Sequence, residues 1–299
     1  MDWDDLRVFL AVARGESLTA AAKVLRIDPA TVGRRVARLE AAMRAQLFAK
    51  TQQGYVLTMD GARLLDHAEA AEQAMTAASE SLQRNQGLTG QIRIGAPDGC
   101  ANYLLPQVLT AICDANPGLE VQIVALPRVF NLSKREADMA VAVSRPETGR
   151  VTAQKITDYR LHLAASHDYL ARSGVPASLA DLRAHRLIGY IPDMIFDKEL
   201  DYMSEGGLGA GLGAVPFASN SVSVQLNWLR AGAGIGVVHD FALAAAPELR
   251  RVLTDEVHLT RAFWLIRHEG DRRLERLNRF ASLLTLGLQT EVARLESHA

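Results

Sequence analysis

Thr31, Arg34, Arg35 and Arg38 fall at spacings 0, 3, 4 and 7, which on a helix gathers one hydroxyl and three guanidinium groups on one side. A guanidinium fork donates two parallel hydrogen bonds to phosphate oxygens or to the O6/N7 edge of guanine. Val32, Val36, Leu39 and Met43, at spacings 0, 4, 7 and 11, occupy the other side and are expected to face inward. Residues 23–50 carry Lys23, Arg26, Arg34, Arg35, Arg38, Arg44 and Lys50 against Asp28 and Glu40, a net +5. The whole chain of 299 residues balances 33 Lys and Arg with 34 Asp and Glu. The whole molecule is therefore not polycationic, which argues weakly against a non-specific nucleic-acid coat and says nothing about a local phosphate-binding patch. A charge run alone would more simply be a solvated face; the helical phasing is what favours the patch.

The neighbouring segments are those that would position such a helix. Leu6, Phe9, Leu10 and Ala13 recur at i, i+3, i+4 and i+7, with Asp4 and Asp5 in the first turn and Gly15 at the end. Ser17 can cap a short helix, Ala20 to Leu25. After a three-residue break, Asp28-Pro29 reads as N-cap and first position of the cationic helix. Short helix, tight turn and cationic helix make a helix-turn-helix. Leu47-Phe48 and Tyr55-Val56-Leu57 around Thr51-Gln52-Gln53-Gly54 predict a hairpin, a wing behind that helix.

From Met59 to Arg84 a long helix is expected, about 40 Å in length. Leu64, Ala68, Ala71, Met75, Ala78 and Leu82 follow at spacings 4, 3, 4, 3 and 4, a heptad seam suited to self-association. The alternative is packing against its own domain.

These residues resemble the LysR-type transcriptional regulator family. The match runs through Asp5-Leu6-Arg7-Val8-Phe9, Ser17 to Ala22, Ala30 to Glu40, Gln46-Leu47-Phe48 and Leu57 to Gly61. The resemblance implies an N-terminal all-α winged helix-turn-helix with a long linker helix. It also implies a C-terminal α/β effector domain of two lobes that is periplasmic-binding-protein-like. Domains are expected at 1–58 (DNA-binding), 59–88 (linker and dimerisation) and 89–299 (effector-binding). Lobe I would take about 89–161 and 267–299, and lobe II about 162–266. A homodimer through the linker helix, paired into a homotetramer, would bind double-stranded promoter DNA and answer to a small-molecule effector. DNA contacts carry over to Pro29, Ala30, Thr31, Gly33, Arg34, Arg35 and Arg38 and, on the wing, to Lys50 and Thr51. Two positions depart from the family pattern. Gly33 stands where the family often has Ser, and Lys50 and Gln53 stand where it often has arginines.

In the second half, Gln91 to Gly95, the helix Tyr103 to Cys113 and Leu119 to Val124 read as a βαβ unit. Ala137 to Val143 is a further strand. Tyr159 to Ser166 and Phe263 to Ile266 are the expected crossings between lobes, and Arg272 to Leu295 a helix returning to lobe I. Ligands of open α/β sheets bind outside the carboxyl ends of the strands, which selects Pro97 to Cys100 and Ser144-Arg145. The helix N-terminus near Gly99 suits a carboxylate or another anion, which leaves an anionic effector open, and Ser219-Asn220-Ser221 offers a second N-terminus with hydroxyl donors. The family's effector contacts map onto Asp98, Gly99, Cys100 and Ser144 in lobe I and Asn220, Ser221 and Gly234 in lobe II.

Enzyme chemistry has little to stand on. There is no G-x-S-x-G elbow, no P-loop and no H-E-x-x-H, and the eight histidines show no metal-ligand spacing with Cys100 or Cys113. The run Gly206 to Gly213 lacks the strand-turn-helix setting of a nucleotide site and reads as a mobile loop. No cofactor, no metal and no catalytic residue is expected. Cys100, at a helix start, would be a packed thiol before a redox sensor. No apolar run reaches the roughly 18–20 residues of a membrane helix, and the acidic start is unlike a secretory signal; a cytoplasmic protein is expected. The rival readings are a pure solute-binding module and an α/β enzyme.

Overall fold

The computed structural model describes residues 2–52, 54–81, 87–125, 136–147, 149–202 and 215–297. The chain divides into two compact units. The first comprises the described residues up to 81 together with His268–Asn278, and the second the remainder.

In the first unit, α1 (Trp3–Gly15), α2 (Leu18–Leu25) and α3 (Pro29–Met43) precede a hairpin of β1 (Phe48–Thr51) and β2 (Gly54–Leu57), then α4 (Met59–Ser81). The starts are set by local hydrogen bonds. Ser17 Oγ accepts from the Ala20 N–H at 3.4 Å, and Asp28 Oδ1 from the Thr31 N–H at 2.8 Å, with Pro29 at the first position. Phe9, Val12, Val32, Leu39, Leu47 and Ala68 form a shared core, so α3 is held by its apolar side as its periodicity predicts. Met43 departs from that prediction: it is 37% exposed, because the helix ends there and its last turn overhangs the core. The hairpin is anchored at both ends. Glu40 Oε1 accepts from the N–H groups of Leu47 and Phe48, at 2.7 and 3.2 Å. Gly54 has φ +129°, and a Cβ there would lie 2.3 Å from the Glu16 carbonyl oxygen. Only glycine allows the neighbouring Tyr55 N–H to reach that carbonyl, at 2.8 Å. Of the heptad seam on α4, Ala68 is buried, Leu64 and Ala71 are half-buried and Met75 is exposed, while Leu82 and Arg84 lie outside the described residues.

The second unit holds β3 (Gly90–Ala96), α5 (Asp98–Tyr103), α6 (Leu105–Asp114), β4 (Leu119–Ala125), β5 (Met139–Ala142), β6 (Val151–Ser166) and α7 (His167–Ser173). It continues through β7 (Leu187–Gly189), β8 (Phe217–Ala218), α8 (Val222–Arg230), β9 (Ile235–His239), α9 (Asp240–Leu243), β10 (Leu249–Val252), β11 (His258–His268) and α10 (Glu275–Glu296). The predicted helix Tyr103 to Cys113 is thus two helices. The break falls at Leu104, with Pro106 inside the first turn of the second, where its missing N–H costs nothing. The strands run in the order β4-β3-β5-β11-β6-β9-β7-β8, with β10 on the flank of β6. Lobe I is parallel (β3 with β4 and β5), lobe II is parallel about β7 (with β8 and β9), and the long strands β6 and β11 run between them. Antiparallel pairing ties β11 to β5, with Trp264 opposite Ala142, and β6 to β9, with Leu163 opposite Val237. The last helix returns to lobe I, where a Cβ on Gly287 would come 2.5 Å from Val108 Cγ1.

Candidate functional site

On α3 the amino-terminal turn stands clear of the core. Pro29, Ala30 and Arg34 are exposed and Thr31 is half-exposed. Arg34 Nη2 donates to Thr31 Oγ1 at 2.8 Å, so hydroxyl and guanidinium form one donor-rich edge. The other two arginines are engaged. Arg35 Nη1 donates to Asp4 Oδ2 at 3.0 Å, which holds the Asp4 carboxyl below its usual range. Arg38 Nε donates to Asp5 Oδ2 at 2.7 Å, and that bond raises its guanidinium further above the ordinary arginine range. The expectation of three free guanidinium groups is therefore corrected. Asp4 and Asp5 lie in the first turn of α1, which crosses α3 at this level and draws Arg35 and Arg38 toward itself. Gly33 has room for a side chain, since a Cβ would meet Leu18 Cδ1 at an ordinary 3.5 Å. On the wing, Lys50 and Thr51 are exposed, and Thr51 Oγ1 donates to the Gly54 carbonyl at 3.2 Å. Gln53 lies outside the described residues.

In the second unit Asp98 begins α5 in lobe I and faces the start of α8 in lobe II. Its Oδ2 accepts from Ser221 Oγ at 3.1 Å and from the Ser223 N–H at 2.9 Å. Ser221 is also the N-cap of α8. Asp98, Gly99, Cys100 and Asn220 line one small cavity, together with His239, Tyr159 and Phe263. Ser144 is tied to Asp197 by a short hydrogen bond. Gly234 sits elsewhere: a Cβ there would meet the Arg186 carbonyl oxygen at 2.3 Å, so this glycine serves the approach of β9 to β7. Cys100 is fully buried and burial pushes its thiol pKa up, the reverse of an activated cysteine. The run Gly206 to Gly213 lies outside the described residues.

Sequence reasoning missed the aromatic wall of this cleft. The ring of Tyr159 stacks on Phe263 with centroids 4.2 Å apart and on His239 at 5.5 Å. Burial lowers the His239 pKa to about 4, with Asp98 opposing the shift, so the imidazole is neutral at pH 7. His239 is the last residue of β9, and the same rule of strand carboxyl ends that selected Asp98 would have found it. The hydroxyls of Tyr159 and Tyr202 are both buried and lie beside each other. Among the described residues no three His, Cys, Asp or Glu side chains gather to hold a metal ion, and no helix is long and apolar enough to cross a membrane.

A winged helix-turn-helix joined to a two-lobed α/β domain with a cleft across its strand ends defines a ligand-responsive DNA-binding regulator. The sequence agrees in both halves. Residues 3–62 match the bacterial regulatory helix-turn-helix proteins of the lysR family, and residues 85–288 match the LysR substrate binding domain. The chain belongs to the LysR family of transcriptional regulators, a family of regulators and not of enzymes. It is 30% identical over 179 residues to the Mau operon transcriptional activator of Paracoccus denitrificans, an alignment that spans 60% of this chain and 62% of that protein. It is 28% identical over 243 residues to the HTH-type transcriptional regulator DmlR of Escherichia coli (78% and 76%). Among solved structures, ArgP from Mycobacterium tuberculosis shares the fold, with a TM-score of 0.68 at 18% identity over 96% of this chain and 97% of that one.

Proposed function

We propose that this regulator docks the amino-terminal half of α3 in the major groove of promoter DNA. Pro29, Ala30, Thr31, Gly33 and Arg34 would meet the duplex, and Lys50 and Thr51 would anchor the wing on flanking phosphates. Arg35 and Arg38 face the same way but are shared with Asp4 and Asp5, which makes them positioning groups first. The observation that carries this reading is the outward Thr31–Arg34 edge on a helix whose other side packs Val32, Val36 and Leu39 into the core. Two copies would pair through the seam of α4, where Met75 is 58% exposed in the single chain, and two such dimers would form the tetramer. The setting is the cytoplasm, where the DNA is.

The second unit would bind a small molecule, and binding would act on DNA only through different affinities for two arrangements of the lobes. Fluorescence anisotropy with the duplex upstream of the protein's own gene tests the first step. Expected is saturable binding that weakens steeply with salt and exceeds binding to a scrambled duplex by at least about a thousandfold. Equal affinity for both duplexes would remove the reading.

A further inference from the structure

We propose that the effector is an uncharged, mainly apolar molecule lodged in lobe II, in a cavity beside Tyr190, Tyr202 and Gln225, and not an anion at the helix N-termini of the cleft. The proposal rests on the regulator reading above and narrows it to a site and a ligand class.

The position an anion would take is already filled. A carboxylate seeking the start of α8 would look for Ser221 Oγ and the Ser223 N–H, and both are engaged by Asp98 Oδ2 at 3.1 and 2.9 Å. That carboxylate is tethered to the same chain, so its effective concentration far exceeds that of a free ligand. An incoming anion would also be repelled by it. The cavity beneath Asp98, bounded by Tyr159, Phe263 and His239, offers only about 20 Å³, space for a single water.

The adjoining cavity is different. It holds about 420 Å³, within the range of ligand sites, and is lined by Ile188, Ile195, Val215 and Val237 as well as the three polar residues named above and Asp201, whose carboxylate would repel an anion. Among the described residues no Lys, Arg or His lines it, so nothing there would neutralise an anion. Tyr202 lines it too, with its hydroxyl buried beside that of Tyr159. Tyr190 and Leu200 line both cavities and join the site to the cleft.

The same cavity is connected to the bond between the lobes. Ala218 lines it, and only Ser219 and Asn220 separate Ala218 from Ser221, the cap that Asp98 holds. Gln225 lines it too, and its Nε2 donates to the Ser219 carbonyl at 2.8 Å. An occupant that moves Ala218 or Gln225 shifts the start of α8 and with it the grip on Asp98.

The test uses the full chain without DNA, so that its outcome does not depend on DNA binding, which the duplex titration reads by itself. Matched pairs differ only in charge: 4-ethylphenol and 4-ethylbenzoate, indole and indole-3-carboxylate, cyclohexanol and cyclohexanecarboxylate. Expected is a rise in Tm of about 2–4 °C with at least one neutral member and none with its carboxylate. Ala218→Phe and Ile195→Trp fill the cavity from two sides, and whichever of them folds should lose the shift. Asp98→Ala vacates the start of α8 without touching the cavity, and should add a response to the carboxylates while keeping that to the neutral compounds. No shift with any neutral compound, an equal shift with the carboxylates on the unmodified chain, or a shift that survives filling the cavity overturns the proposal.

Discussion

Arg38 on α3 is clamped to Asp5 on α1 by two hydrogen bonds, from Nε at 2.7 Å and from Nη2 at 2.5 Å. The Asp5 side chain is only 4% exposed, whereas Arg38 keeps 58% of its side chain in solvent. One arginine therefore satisfies a buried carboxylate while its outer edge stays on the face that α3 turns outward. Arg34, one turn earlier, donates to the hydroxyl of Thr31 and lies near the exposed Asp28 carboxylate, with no buried acid to satisfy. Two arginines that look equivalent by spacing are placed in different roles by their partners.

That difference separates two substitutions. Arg34→Ala is expected to weaken promoter binding by about tenfold or more while leaving Tm unchanged. Arg38→Ala strands the Asp5 carboxylate without its cation, so Tm should fall along with DNA affinity. Melting curves and anisotropy titrations on both variants read the split. An Arg38→Ala protein that melts with the parent would show that the clamp contributes no stability.

Glycines 33 and 54 should respond in opposite directions. Gly54→Ala forces a side chain into a positive-φ position against the Glu16 carbonyl, and a loss of about 1–3 kcal/mol is expected in urea unfolding. Gly33→Ala adds a methyl at ordinary contact with Leu18 Cδ1 inside a helix and should gain up to about 1 kcal/mol. If Gly33 also lets the backbone of α3 approach DNA, the stabilised variant will bind the duplex more weakly. Unchanged affinity would limit Gly33 to a cost in helix stability.

His239 predicts how stability depends on pH. An unfolded imidazole titrates near 6.5, and burial lowers the folded one to about 4. Between those values the unfolded chain holds a proton that the folded chain refuses, so stability is lost as pH falls through 6.5 toward 4. His239→Phe suits the aromatic surroundings of Tyr159, Phe241 and Phe263 and removes the titrating group. From near pH 7 to near pH 5, the parent should lose about 2 kcal/mol more than this variant in urea unfolding. Equal losses would mean that the folded imidazole accepts its proton as readily as the unfolded one.

The beginnings of α2, α3 and α4, the wing and the packed side of α3 were legible in the sequence, because each depends on interactions a few residues apart. Ser17 reaches Ala20, Asp28 reaches Thr31, and Val32, Val36 and Leu39 share a face by helical geometry alone. The choice of partners was not legible. Asp5 lies 33 residues from Arg38 and Asp98 lies 123 from Ser221, and nothing in local spacing says that these side chains meet. The two helix N-termini left an anionic effector open. Only the folded cleft shows that a carboxylate of the chain itself occupies one of them, and that Gly234 belongs to the packing of β9 on β7. Periodicity and capping determined the elements and their exposed faces. Tertiary packing decided which charges remain available to a partner, because pairing is a property of three-dimensional distance and the chain encodes it only through the whole fold.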